Sequence, residues 1–291
     1  MRGPLLLGAI LAVWWVLRGV IAKREERRFE ADHLRDAEGI ILGAESVRLL
    51  GTRSGAVLLL HGYNDSPQSI ASTAEAFHAR GWTVSAPLLP GHGRTLQAFA
   101  RSRAEDWLHE ARTRLAELQS SHTEVAVGGL SMGGAIAFVL AAENPSVRAV
   151  VAFAPYLHVS RPLRLIEAFA PLAALGARYV WSGGTRSVRD TVAGDRMIAY
   201  RRSTPQLLVQ LDRIARRAHD SLARVHQSVM VVQSREDNRI PALVAEESFR
   251  RIGSMDKTLH WVTGSGHVVT LDFGHEEVAR VAADWLESRL A

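Results

Sequence analysis

Cysteine is absent from all 291 residues. This excludes disulfide staples, a thiol nucleophile and thiolate metal ligands, and leaves the redox compartment open. Lysine is almost absent as well: Lys23 and Lys257 are the only two, so 33 of the 35 basic residues are arginine. There is no internal repeat or low-complexity tract, and no basic stretch interleaved with stacking aromatics, so the net charge of +5 does not point to nucleic acid as a partner. Nor is there an unbroken apolar run of the ~20 residues that a bilayer core requires. What remains is ordinary globular composition, 47% hydrophobic and 22% charged, in a chain long enough for one large core or two modest ones.

The positive charge sits in two zones. Residues 1–28 hold six basic groups against two acidic ones, and residues 159–226 hold twelve arginines against five acids, leaving the rest mildly acidic. Two local basic zones suit an anionic membrane surface, and equally a solvated arginine-rich surface. The first zone ends a segment of 15 uncharged, mostly apolar residues, Gly3 to Leu17, followed by Arg18 and Gly-Val-Ile-Ala. If Arg18 snorkels toward the headgroups, beside Trp14 and Trp15 at the interface, residues 1–28 serve as an N-terminal membrane anchor. A cleaved secretory signal, with Arg2 as its positive start and Val20-Ile21-Ala22 as its small-residue site, competes with that reading, and so does a buried helix. Positive charge is heavier after the segment than before it, which places the body on the cytoplasmic side if the anchor is retained, and outside the cell or in the periplasm if a signal is cleaved.

From residue 46 onward, strands and helices alternate. Residues 56–61, 83–89, 124–129, 147–155, 228–234 and 257–262 read as strands, the first of them wholly apolar, as a strand buried on both faces should be. Ser66-Pro67 marks the start of a helix ending near Arg80, ahead of Gly81. Trp107, Leu108, Ala111, Leu115 and Leu118 line one face of a second helix. Further helices are expected over Met132 to Asn144, Ala242 to Ile252 and Glu276 to Leu290. This order predicts an α/β fold with a mostly parallel sheet covered on both faces. It divides into a first core part, 29–155, a helical insertion without a convincing strand, 156–226, and a second core part, 227–291.

One strand-to-helix junction carries a Gly-x-Ser-x-Gly string, "GGLSMGG". A nucleophilic serine held on a sharp turn between strand and helix needs small residues two positions either side, which Gly129 and Gly133 supply around Ser131. The alternative is a packing turn with a satisfied serine. A serine hydroxyl needs a base to take its proton, and that base needs an acid to orient it. In the chain order Ser, acid, His, the base is expected at His267, in a Gly-Ser-Gly loop directly after a strand; His260 lies within a strand and His275 opens a helix. The acid is expected at Asp237, with Glu236 as the fallback, after strand 228–234. Asp190, Asp195, Asp212, Asp220 and Asp256 lie in unsuitable positions. Two backbone N–H groups must then stabilise the oxyanion, and those of Met132 and Tyr63 are expected to do so. His61 reads as a structural hydrogen-bonder, because it precedes the serine.

The pieces "LLLHGY", "PLLPGHG", "GLSMGG", "QSREDNRIP" and "SGHVVTLD", in this order over residues 55–290, resemble the serine α/β-hydrolases, closest to the bacterial carboxylesterase and monoacylglycerol lipase group. The resemblance implies a triad of Ser131, Asp237 and His267, an oxyanion hole at Tyr63 and Met132, and a cap at about 156–226 roofing an acyl pocket. With the membrane segment and the net-positive insertion, a lipid-derived ester of the monoacylglycerol or lysophospholipid kind is the expected substrate, hydrolysed through an acyl-enzyme on Ser131 with neither metal nor organic cofactor. The apolar stretch 165–181 would line that pocket, dip into lipid, or face the core. Two other readings stay open: acyl transfer to an alcohol or amine from the same intermediate, and a membrane-bound scaffold that has lost catalysis. The oligomeric state has no signature in the sequence.

Overall fold

The computed structural model describes residues 3–158, 176, 178–182 and 187–290, with side chains from residue 12 onward. A long helix, α1 (Gly3–Ala31), is followed by β1 (Val47–Leu49), β2 (Gly55–Leu60), α2 (Ala71–Ala79), β3 (Thr83–Ala86), α3 (Leu96–Arg101), α4 (Ala104–Ser121), β4 (Glu124–Leu130), α5 (Met132–Glu143) and β5 (Val147–Phe153). Next come β6 (Val180–Trp181), α6 (Thr191–Arg196), β7 (Arg202–Ser203) and α7 (Pro205–Ser221). The chain closes with β8 (Ser228–Ser234), α8 (Ala242–Arg251), β9 (Lys257–Val262) and α9 (His275–Glu287).

Seven strands form one sheet in the order β1-β3-β2-β4-β5-β8-β9, all parallel except β1, which runs antiparallel to β3. The inner strands are apolar on both faces because helices cover both: every residue of β2 is buried, and every residue of β4 but Glu124. On one face, α2 and α9 bury Phe77, Val278, Ala282 and Leu286 with Trp82. On the other, α4, α5 and α7 bury Trp107, Leu115, Phe138, Leu207 and Ile214 in one cluster. The five apolar residues expected on one face of α4 are all buried. Each leucine among them, fully removed from water, contributes roughly 1.5–3 kcal/mol.

Some local expectations change. The strand begun at Thr83 stops at Ala86 rather than Leu89, because Pro87 has no N–H to continue a ladder. The helix after Ser66 opens as a 3-10 turn, Pro67–Ile70, and Ser66 makes no side-chain cap. Between β5 and β8, β6 and β7 pair as a two-residue antiparallel ribbon, Val180 with Ser203 and Trp181 with Arg202. Of the expected insertion, residues 159–175, 177 and 183–186, and with them most of the apolar stretch 165–181, lie outside the described residues. Its last helix, α7, packs on α5 as part of the layer covering the sheet.

The expectation of a membrane-spanning anchor is corrected. Among the described residues no helix is long and apolar enough to cross a membrane. Instead α1 continues past Arg18 through the charged residues and lies against the body. Ala22, Glu26 and Phe29 are buried. Glu25 accepts from Arg202 Nε at 2.8 Å, and Glu26 from Gln97 Nε2 at 2.7 Å and from the Tyr179 hydroxyl at 2.6 Å. Phe29 stacks on Tyr200, which stacks in turn on Phe99. Farther toward the N-terminus, Val13, Trp14, Trp15, Val16 and Leu17 are exposed.

Candidate active site

The site grows from the end of β4, which lies between β2 and β5, so the turn that follows it stands over the middle of the sheet. In parallel α/β sheets ligands gather at this carboxyl edge. Ser131 occupies the turn with φ 52° and ψ −110°, a positive-φ conformation unusual for a residue with a side chain. Hydrogen bonds hold it there: its N–H donates to Phe153 O at 2.8 Å, and its carbonyl accepts from Ala135 N and Tyr156 N, each at 3.0 Å. The glycines are required on steric grounds. A Cβ on Gly129 would stand 2.5 Å from Leu60 O, and one on Gly133 only 2.1 Å from the same atom. Strand β2 and the first turn of α5 thus touch backbone to backbone, and the Ser131 hydroxyl sits at the N-terminal end of α5, where the helix dipole favours negative charge.

His267 lies in the loop after β9 and reaches both expected partners. Its Nε2 is 2.8 Å from Ser131 Oγ and its Nδ1 is 2.8 Å from Asp237 Oδ2. Asp237, in the loop after β8, is held on all sides. Oδ1 accepts from Arg239 N at 2.7 Å and Ile240 N at 2.9 Å, while Oδ2 also accepts from Gln233 Nε2 at 2.7 Å. Burial alone would raise its pKa. The neighbouring His267 and the two backbone amides outweigh burial and keep the carboxyl below its ordinary range. Glu236, the fallback acid, is engaged elsewhere, since its carboxylate accepts from Gly264 N at 3.2 Å and so steadies the loop leading to His267. Three of the set-aside aspartates are engaged elsewhere, Asp190 capping α6, Asp212 paired with Arg216 and Asp256 with Arg289.

The two amides expected to face an oxyanion come from adjacent strand ends, since Leu60 of β2 pairs with Gly129 of β4. Met132 opens α5, where first-turn N–H groups have no partner within the helix. Tyr63 stands in the loop after β2, and both Tyr63 and Ser131 line one cavity of about 790 Å³. That loop is braced from below. Asp65 accepts from Ser66 N at 2.7 Å and from the Ser69 hydroxyl. Its burial drives the carboxyl up to about 7, against hydrogen bonds from Ser69, Ser66 and Gly62 that pull it down. His61 is the structural hydrogen-bonder expected: Nδ1 donates to Gly62 O at 2.9 Å and Nε2 accepts from Leu89 N at 3.0 Å. Burial lowers its pKa to about 4, so it stays neutral.

Sequence reasoning misses Gln233, which shares Asp237 Oδ2 with His267, and Asp65, which braces the loop carrying Tyr63. Gln233 lies four residues before Asp237 in a strand that otherwise reads as apolar core, and that isolated amide is the one available signal.

Comparison with known proteins bears on this geometry. The model of the Hydrolase_4 family, described as serine aminopeptidase, S33, matches residues 51–273. The chain belongs to this family. It is thereby a member of the α/β-hydrolase superfamily, as the sheet order and the motifs imply, and falls among its lipases and esterases. Residues of this hydrolase are 28% identical over 223 positions to a thermostable monoacylglycerol lipase of Bacillus sp. (strain H-257), covering 75% of this chain and 84% of that protein. A carboxylesterase of Bacillus subtilis (strain 168) is 24% identical over 233 residues, 80% of this chain and 92% of the other. Among solved structures, one of the metagenome-derived lipolytic enzymes LipS and LipT superposes with a TM-score of 0.78 at 30% identity, over 86% of this chain and 99% of that one.

Proposed function

We propose that this hydrolase cleaves carboxylic esters, chiefly lipid-derived ones of the monoacylglycerol or lysophospholipid kind, through an acyl-enzyme on Ser131. The observation that carries this reading is the pair of 2.8 Å contacts through which His267 joins the Ser131 hydroxyl to the Asp237 carboxylate. In the proposed reaction His267 Nε2 takes the Ser131 proton as Oγ attacks the ester carbonyl. Asp237 keeps the Nδ1 proton in place and balances the imidazolium that forms. The carbonyl oxygen becomes an oxyanion facing the N–H groups of Tyr63 and Met132. His267 then returns its proton to the departing alcohol, leaving Ser131 acylated. Water, deprotonated by the same imidazole, attacks the acyl-enzyme and releases the acid. No step calls for a metal or an organic cofactor.

The lipid character of the substrate is supported by the cavity and by the relatives named for monoacylglycerol. The segment between β5 and β8 contributes Tyr156, Trp181, Met197, Leu208 and Leu211 to the cavity wall, which supports reading the part of residues 156–226 that precedes α7 as a cap over an acyl pocket, with α7 belonging to the layer on the sheet. The volume falls within the ~300–1,000 Å³ usual for small-molecule sites. The exposed apolar residues 13–17 of α1 support a membrane surface as the place where substrate is met, without crossing it. The test is to mix the protein with monoacylglycerol and lysophospholipid micelles, follow fatty-acid release, and weigh the quenched protein by mass spectrometry. Fatty acid together with an acyl adduct on the peptide carrying Ser131 is the expected result. Transfer of the acyl group to added glycerol in preference to water would make the enzyme an acyltransferase. Absence of both release and adduct would leave the scaffold reading.

A further inference from the structure

The carboxylate of Asp272, in the stretch "SGHVVTLD", has no part in the reaction above, yet it is fully buried beside it. It lies in the loop between β9 and α9 and gathers four backbone amides. Oδ2 accepts from Gly266 N at 2.6 Å and from Arg189 N at 2.8 Å. Oδ1 accepts from Asp190 N and Phe273 N, both at 2.8 Å. Gly266 immediately precedes His267. Arg189 and Asp190 belong to the segment inserted between β5 and β8, and Asp190 caps α6. One carboxylate therefore joins the loop of the base to the inserted segment, over a sequence distance of some 80 residues.

The inserted segment meets the loops of the base and the acid again beside this joint. Val268 N donates to Ser187 O at 3.1 Å, so the residue after His267 is bonded to the inserted segment as well. Arg239, two residues past Asp237, donates through Nε to Ser187 Oγ at 2.9 Å. A Cβ on Gly266 would stand 2.6 Å from Ser187 O, so the contact needs glycine there. Ser187 itself lines the cavity, with Trp181 and Ser182 just before it and Met197 and Ala199 beyond. Only an ionised carboxylate offers acceptors and no hydrogen to four converging donors. Burial alone would raise the Asp272 pKa; the four amides outweigh it and hold the group below the ordinary carboxylate range.

We propose that Asp272 is a positioning residue that fixes the His267 loop and the cavity-wall segment at residues 187–190 to each other, so that the place of the imidazole and the shape of the acyl pocket are set together. The inference rests on the reading of His267 as the base. It assigns Asp272 no contact with substrate. Displacing the joint moves the imidazole relative to Ser131 and shifts the wall at Ser187 in the same event.

The test is Asp272→Asn in the full chain. The amide keeps the shape but turns an NH2 group toward two backbone donors. Active sites are titrated with a fluorophosphonate probe, so that misfolded protein is not counted. Steady-state hydrolysis of p-nitrophenyl acetate and p-nitrophenyl decanoate is then measured per titrated site. A shift of the imidazole approaching 1 Å lowers kcat per site roughly ten- to a hundredfold. The expected result is that loss together with a changed ratio of kcat/KM between the two esters. Unchanged kcat per titrated site overturns the proposal, because a residue acting on stability alone reduces the number of sites and not their rate. A lowered kcat with an unchanged ester ratio overturns the coupling to the cavity wall. Should Asp272→Asn fail to fold, Asp272→Ser leaves room for a water among the four amides and is read by the same criteria; failure of both to fold overturns the proposal in favour of a structural role. A wild-type protein that neither reacts with the probe nor hydrolyses either ester overturns the reading of the site itself, which separates that failure from this one.

Discussion

Replacing Gly133 with alanine tests the geometry of the turn more sharply than removing a reactive group. Gly133 is the second residue of α5, and helix propensity alone would favour alanine there by about 1 kcal/mol. The new Cβ, however, would stand 2.1 Å from Leu60 O and 2.6 Å from His61 O, both main-chain atoms of the strand end beside it. Ordinary contacts of this kind begin above 3 Å, so α5 or the end of β2 must retreat by about 1 Å, the scale of shift that overpacking forces on a filled core. That retreat moves Ser131 and the Met132 amide away from the loop carrying Tyr63. Overpacking of this degree costs about 1–3 kcal/mol, which exceeds the propensity gain, and a misplacement of ~1 Å costs on the order of a hundredfold in rate. Gly19 on α1 is the control, since a Cβ there meets nothing within 4 Å. The assay is kcat/KM on a p-nitrophenyl ester per titrated site, beside thermal unfolding. Gly133→Ala is expected to lose about two orders of magnitude in rate and several degrees in Tm, while Gly19→Ala keeps the wild-type rate. A Gly133→Ala protein with wild-type rate and Tm would refute the claim that backbone contact between β2 and α5 sets the site.

Asp237→Asn should lower kcat on the order of 10⁴-fold, because the amide no longer holds the imidazole in its working tautomer, whereas Glu236→Gln should stay within about tenfold; equal losses in the two would mean the acid is misassigned. The Asp65 carboxyl, pushed up to about 7 by burial, binds its proton more tightly folded than unfolded. Its contribution to stability is thus complete below the unfolded carboxylate value and disappears as pH rises through about 7. Asp65→Asn should therefore flatten the fall in Tm between about pH 4 and pH 7, and an undiminished slope there would show that another group governs it. Trp15→Ser with Leu17→Ser should reduce co-sedimentation with anionic phospholipid vesicles by at least roughly tenfold, given about 1.5–3 kcal/mol per apolar side chain removed from water; equal binding by wild type and variant would remove α1 from any role at a lipid surface.

The parts of this molecule that can be read from the chain alone share one property: their signal is local. β2, β4 and β8 are largely apolar runs bounded by turn residues, as strands buried on both faces must be, while β9 at the sheet edge is half-buried and mixes Lys257, Thr258 and His260 with apolar residues. The elbow is confined to Gly129, Ser131 and Gly133. Asp237 and His267 stand out because each follows a strand, and chain order and setting choose His267 over its neighbours His260 and His275. What escapes is carried by contacts between distant residues. Glu25 and Glu26 read as solvated charges after an apolar helix, and nothing nearby announces that Arg202, Gln97 and Tyr179 meet them. That is why α1 reads as a bilayer span and is instead laid against the body. β6 and β7 are each two residues long, too short to show any period, and exist because they find each other. Gln233 binds through its amide nitrogen, and Asp272 through both carboxylate oxygens, to loops up to 83 residues away, a relation that leaves no pattern along the chain.

The central claim is that Ser131, activated by His267, is the nucleophile of an ester hydrolase. It is tested most directly by initial rates on p-nitrophenyl esters from acetyl to palmitoyl, for the wild-type protein beside Ser131→Ala. The expected outcome is hydrolysis at a medium or long acyl chain that exceeds the Ser131→Ala rate on the order of 10⁴-fold or more. Equal rates for the two proteins across the whole series would contradict the account.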